Sequence, residues 1–273
     1  MTASRHKRLT CLAFFVAATE LAGCSPQNFP SQASRSDGEA LLHKLQEALG
    51  GATRIAAVRD FEETIRAEAW DSSGGSLGDV RKRTRWMRSP NVVRLDQIGP
   101  RGTYVLYFEG ASESGWEILP DLRSPDPFKT TGTAIPLAGG ELQFARGYLF
   151  GFELNFWLAD QLPGYRVTSP APHVLRIEHG AGATDFTLDP VTSLPVKSAG
   201  VSLADPDRPV PSEMRYEGWR EVSGVRFPTN RVNHLSGVKR GQVTSEDIRV
   251  NVGLHPQDLA AKPPGSAPDI PQR

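Results

Sequence analysis

The sequence predicts a mainly β, α+β protein built on one large curved antiparallel sheet with a few helices. Short runs that alternate apolar and polar residues follow one another with tight turns between them, the pattern of half-buried antiparallel strands. These runs fall into two series separated by a single strongly apolar segment. No strand-helix-strand alternation, which a parallel sheet would require, occurs along the chain.

The chain has 273 residues. Arg5, His6, Lys7 and Arg8 make a basic start, and Leu9 to Thr19 (LTCLAFFVAAT) is an apolar run ending in small residues. Spanning a bilayer takes about 20 apolar residues, so this stretch predicts a secretory signal rather than an anchor helix. Leu21, Ala22, Gly23 and Cys24 follow, and they resemble the lipobox of bacterial lipoproteins. That resemblance implies cleavage of residues 1–23, lipidation of the Cys24 thiol and attachment to a membrane. The alternative is an ordinary signal peptide in which Cys24 is incidental. Removing Arg5, Lys7, Arg8 and Glu20 from 31 basic and 31 acidic residues leaves 28 and 30. A net charge of −2 gives no reason to expect a nucleic-acid partner. Cys11 leaves with the signal, so the remainder has no thiol pair for a disulfide or a cysteine zinc site.

Residues 24–37 are polar and aperiodic, as expected of a flexible tether. The first folded element is a short helix: Ser36 and Glu39 have capping-box spacing, Leu41, Leu42, Leu45 and Leu49 form a stripe, and Gly50-Gly51 ends it. In Phe61 to Ala69 one face carries Phe61, Ile65, Ala67 and Ala69. Strands then follow near Val80 to Arg88, Val92 to Ile98, Thr103 to Phe108 and Gly115 to Leu119. Leu142 to Leu158 (LQFARGYLFGFELNFWL) reads as one helix, apolar nearly all round and so buried on several sides. The second series runs through Tyr165 to Ser169, His173 to His179, Thr184 to Leu188, Leu194 to Ser202, Glu213 to Glu221, Val225 to Leu235 and Gln242 to Val252. A single folded unit over 38–254 is expected, with 255–273 as a proline-rich loose tail.

Several of these pieces, in this order, resemble the LolA/LolB-like superfamily of bacterial envelope proteins, the outer-membrane lipoprotein-sorting-protein group. They are the helix end Leu49-Gly50-Gly51, Met87 to Arg94 (MRSPNVVR), Gly115-Trp116, Leu188 to Pro195 (LDPVTSLP) and Tyr216 to Pro228 (YEGWREVSGVRFP). The resemblance implies an unclosed half-barrel covered by helices, with an apolar cavity that takes a lipid or a lipoprotein acyl chain. It implies a place in the bacterial cell envelope, and Ser25 after the lipidated cysteine points to the outer membrane facing the periplasm.

Phe61, Ile65, Trp86, Val93, Leu95, Tyr104, Leu106, Trp116, Phe152 and Trp157 are the candidate lining of that cavity. The competing reading is that they fill a core. Arg81, Arg83 and Arg85 are candidate contacts for an anionic headgroup, against the alternative of a solvated face balanced by nearby acids. No G-x-S-x-G nucleophile elbow is expected, no P-loop, G-x-G-x-x-G or H-E-x-x-H string is present, and the histidines His43, His173, His179, His234 and His255 are scattered. The chain therefore reads as a binding protein rather than an enzyme, without a cofactor or metal. An envelope protein-interaction or stress-sensing module with a filled core is the alternative.

Overall fold

The computed structural model describes residues 32–99, 102–121, 130–150, 153–179, 182–202 and 210–262. In chain order the elements are α1 (Gln32–Leu49), α2 (Ala52–Ala56), β1 (Asp60–Trp70), β2 (Ser76–Met87), β3 (Val92–Gly99), β4 (Gly102–Glu109), β5 (Ser114–Pro120) and β6 (Thr130–Pro136). They continue with α3 (Gly139–Phe150), α4 (Glu153–Phe156), β7 (Arg166–Ala171), β8 (Val174–His179), β9 (Gly182–Leu188) and β10 (Pro195–Ser202). β11 (Val210–Val222), β12 (Val225–Leu235), β13 (Val238–Val250) and α5 (Pro256–Ala260) complete the series.

All thirteen strands belong to one sheet, in the order β6-β5-β4-β3-β2-β1-β13-β12-β11-β10-β9-β8-β7. Every described pairing is antiparallel. The sheet is thus two meanders, β1 to β6 and β7 to β13, joined where β1 pairs with β13. It does not close: β6 and β7 are its two edges, the unclosed half-barrel expected from sequence. The chain must therefore travel from one edge to the other between Pro136 and Arg166. It does so through α3 and α4, along the concave face.

Strand alternation assigns the two faces. Phe61 opposes Trp86, Trp86 opposes Val93 and Val93 opposes Phe108, which makes a buried row on the concave side. Residues one step away, such as Glu62, Arg83 and Arg85, point to the convex side, where Glu62 accepts from both Arg83 and Arg249. A bulge at Thr64/Ile65 in the β1–β13 pairing shifts the register without turning β1 over, because its pairing with β2 is continuous there.

α1 lies over β7 and β8 with Leu42, Leu45 and Leu49 buried. It begins at Gln32, inside the stretch expected to be tether, and Ser36 sits within the helix rather than at its cap. The extra turn is held from outside: Ser34 Oγ donates to the Ser169 carbonyl at 3.2 Å. Gly38 makes the close approach to the edge strand, since a Cβ there would lie 2.5 Å from the Thr168 backbone.

Three further differences have local causes. The expected single helix over 142–158 is two, α3 and α4. The Asn155 side chain donates to the Leu149 carbonyl at 2.9 Å, satisfying an acceptor that the end of α3 leaves open. The edge strand β6 (TTGTAIP) was not anticipated; its glycine and terminal proline suit an edge and mask the strand pattern. The expected loose tail begins with a docked element. α5 packs Leu259, fully buried, on Met87 and Val92 of the convex face, and Arg94 Nη1 donates to the Leu259 carbonyl at 3.0 Å.

Helix propensity alone would make Gly38→Ala stabilising by up to about 1 kcal/mol. The contact with Thr168 predicts the opposite sign, a loss of about 1 to 3 kcal/mol from overpacking, read from the denaturant midpoint.

Candidate functional site

The crossover meets the sheet in the order of its strands. Near α3, Arg146 pairs with Glu113 at 3.1 Å, and Leu149 packs on Gly110, both at the β4–β5 turn. Tyr148 reaches β2, its hydroxyl 3.0 Å from Thr84 Oγ1. Glu153, at the start of α4, lies 3.6 Å from Arg231 of β12. Trp157 packs on Phe227 of β12 with tilted rings, their centroids 5.6 Å apart, and Phe156 meets Phe186 of β9 at 5.3 Å. Gln46 of α1 secures the far end, donating to the Trp157 carbonyl at 3.0 Å and to Asp160 at 2.8 Å. Gly139 and Gly164 bracket the crossover, both with positive φ, a conformation that favours glycine.

Phe61, Trp86, Val93, Leu95, Tyr104, Leu106 and Trp157 all belong to the one large buried cluster on the concave face, none more than 7% exposed. The side chains under the crossover pack against it and against each other. Ile65 falls outside that cluster, in a smaller one with Ala67, Val243 and Val80 farther along the same face. Trp116 is on the wrong side for a cavity lining. It opposes Tyr107 on the convex face, stacked at 5.7 Å, with Lys262 6.0 Å from its ring. The Gly115-Trp116 pair does not reveal which residue faces inward, and the alternation here turns Gly115 in. Phe152 and Cys24 lie outside the described residues.

Arg81, Arg83 and Arg85 project from the convex face into ion pairs, with Glu246 at 3.0 Å, with Glu62 and with Asp96 at 2.6 Å respectively. Each is therefore paired with an acid, Glu62 being shared with Arg249 and Asp96 with Arg94. A G-x-S-x-G string does occur, at Gly74 to Gly78, and the structure places it in and just after the β1–β2 turn. Ser76 is exposed there at the start of a strand, and its Oγ accepts from the Gly78 amide at 3.2 Å. A nucleophile elbow needs a strand-to-helix turn, so the string is a hairpin feature. Among the described residues no group of three His, Cys, Asp or Glu side chains is arranged to hold a metal ion. Among them also, no helix is long and apolar enough to cross a membrane.

Between the two apolar clusters runs a belt of polar side chains that sequence reasoning missed. Glu63 of β1 accepts from Arg231 and from Ser245 Oγ of β13. Arg231 also faces Glu153. Tyr216 of β11 opposes Arg231 across the strand pair, and its hydroxyl lies 3.0 Å from Ser198 Oγ of β10. On the other side Lys82 of β2 sits 4.8 Å from the centre of the Tyr148 ring. The side chains of Glu63, Arg231 and Glu153 are only 9%, 14% and 16% exposed. The signal was present in Glu153 and Asn155: polar residues in a segment apolar nearly all round need buried partners.

Arg231 is shared by two carboxylates, and Glu63 has the closer contact. Burial pushes the Glu153 carboxyl up to about 7; Arg231 pulls it down, while Glu63 pushes it up. Tyr216 is also raised, first by burial and then by Glu153.

No family model matches the chain, and no curated protein does. Solved structures do. A DUF1329 family protein from Desulfovibrio piger aligns over 84% of this chain and 98% of its own, with 12% identity and a TM-score of 0.52. A LolA superfamily protein from Nitrosomonas europaea aligns over 82% and 97%, with 13% identity and a TM-score of 0.49. A domain described as an outer membrane lipoprotein-sorting protein, from Vibrio parahaemolyticus, aligns over 81% and 97%, with 14% identity and a TM-score of 0.49. The likeness is one of fold, an open antiparallel sheet with helices.

A carboxyl raised from an ordinary 4.5 to about 7 binds its proton more tightly folded than unfolded. Its ionisation therefore costs stability: the cost is absent below about pH 4.5, grows through that window and is complete above about 7. Glu153→Gln should raise unfolding stability at pH 8 by about 1 to 3 kcal/mol and change it little at pH 4.5. Urea unfolding of both proteins at the two pH values measures this.

Proposed function

We propose that the chain is a lipid-anchored protein of the bacterial envelope. Its half-barrel binds a hydrophobic ligand, a lipid or lipoprotein acyl chain, on the concave face and without covalent chemistry. The observation that carries this reading is the crossover. It lays Leu149, Leu154, Phe156 and Trp157 against an apolar concave surface, yet it is a connection between two sheet edges and not a strand of the sheet. Displacing it would expose a curved apolar surface without breaking a strand pairing. Burying an aliphatic chain there contributes about 0.8 kcal/mol per methylene. In this reading Cys24 carries the anchor, the residues after it are the tether, and the setting is the outer membrane facing the periplasm. Lipoprotein or lipid trafficking is the role that such a site serves.

A second reading is favoured by the burial of the candidate lining. If the crossover never leaves, the half-barrel is a filled scaffold, and an edge or the convex face serves an envelope protein partner.

Native mass spectrometry of the gently purified full chain carrying Cys24→Ser, followed by organic extraction, separates the two. A stoichiometric apolar molecule, or uptake of added phospholipid or acyl peptide, is expected. A clean ligand-free mass with no uptake would replace this function with the second reading.

A further inference from the structure

The polar belt contains an arrangement that packing alone does not require. Arg231 offers its guanidinium to Glu63 and Ser245, which belong to neighbouring strands of the sheet, and to Glu153, which belongs to the crossover. The contact to Glu153 is the looser one, 3.6 Å from Nη1, and the buried Nε of Arg231 makes no hydrogen bond. Nε–H lies on the Nη2 edge beside Glu63, so the side of the guanidinium open to a closer anion is Nη1, where the Glu153 contact is loose and a carboxylate or phosphate oxygen could approach to hydrogen-bond distance.

Around it the concave face supplies further polar groups of the kind that a headgroup needs. The hydroxyls of Ser245, Tyr216, Ser198 and Thr84 lie on β13, β11, β10 and β2, and Lys82 shares the inward face of β2 with Thr84. Apolar surface flanks the belt on both sides, with Phe61, Trp86 and Phe227 in one direction and Ile65, Ala67 and Val243 in the other. A polar belt between apolar surfaces fits an amphiphile, with its head at the belt and its chain along the sheet.

We propose that Arg231 anchors the anionic head of an amphiphile, and that the Glu153 carboxylate occupies that place while the crossover is down. The ligand class is a long-chain molecule bearing one carboxylate or phosphate. This rests on the concave-face reading above and adds the chemistry of the head. Arg231 keeps its pairing with Glu63 throughout, so the exchange replaces one anion beside Nη1 with another and leaves no buried cation unpaired.

The test measures dissociation constants of the full chain carrying Cys24→Ser for three probes with the same chain: oleate, 1-oleoyl-lysophosphatidate and oleyl alcohol. At least one anionic probe should bind tenfold or more tightly than the alcohol, and comparing the two identifies carboxylate or phosphate as the preferred head. Arg231→Gln should bring that ratio below threefold while moving the alcohol constant by less than threefold. Arg231→Lys keeps the charge but not the fork, and should give an intermediate ratio. Because the readout is a ratio, a general loosening of the fold does not imitate it. Should Arg231→Gln fail to fold, the unsubstituted ratio and the Lys variant still decide. Equal binding of all three probes to the unsubstituted chain, or an unchanged ratio in the Lys and Gln variants, would overturn the Arg231 assignment and leave the concave-face reading intact. Failure of all three probes to bind would overturn that reading itself.

Discussion

The strand order places β6 and β7 at opposite edges of an open sheet, although they are consecutive in the chain. Everything between them has to cross that sheet, and the concave side is the apolar one. This single constraint accounts for a strongly apolar segment lying between the two strand series. It also accounts for α3 meeting the β4–β5 turn and β2, and for α4 and the residue after it meeting β12 and β9. A sheet of thirteen strands left uncovered on one face would expose a large apolar patch. The crossover and α1 remove it together, joined through Gln46.

The crossover is held by two kinds of interaction. Aromatic and aliphatic packing supplies the burial, while Tyr148, Glu153 and the Gln46 amide fix where each turn sits. The polar contacts are few, and one of them places a second carboxylate on an arginine already paired. Desolvating Glu153 is unfavourable, so the crossover is less firmly held than its apolar content alone suggests. A segment with strong apolar packing and a poorly solvated charge is suited to reversible displacement. In the proposed reading the sheet is the standing wall of the site and the crossover the wall that moves.

Much of this fold was legible in sequence because antiparallel strands advertise themselves locally. The alternation in Phe61 to Ala69 and the apolar run after Leu142 each carry a short-range signature. What was not legible depends on distant partners. The inward or outward sense of Trp116 depends on register with Tyr107, and the docking of α5 on Met87 and Val92 joins residues from opposite parts of the chain. The polar belt was the largest omission. Glu63, Arg231 and Ser245 are ordinary strand residues in sequence, and only the sheet order brings them to one point. Most of the described candidate lining residues fall in the buried cluster on the concave face, Ile65 in a smaller one and Trp116 on the convex face, and the belt lies between the two concave-face clusters.

Hydrogen exchange of the crossover tests the central claim most directly, because opening and ligand uptake must be coupled if this segment is the cover. The account predicts that saturating oleate speeds amide exchange in peptides spanning α3 and α4 while β1, β12 and β13 keep their protection. Unchanged exchange in α3 and α4 with oleate bound would contradict it and place the ligand elsewhere on the protein.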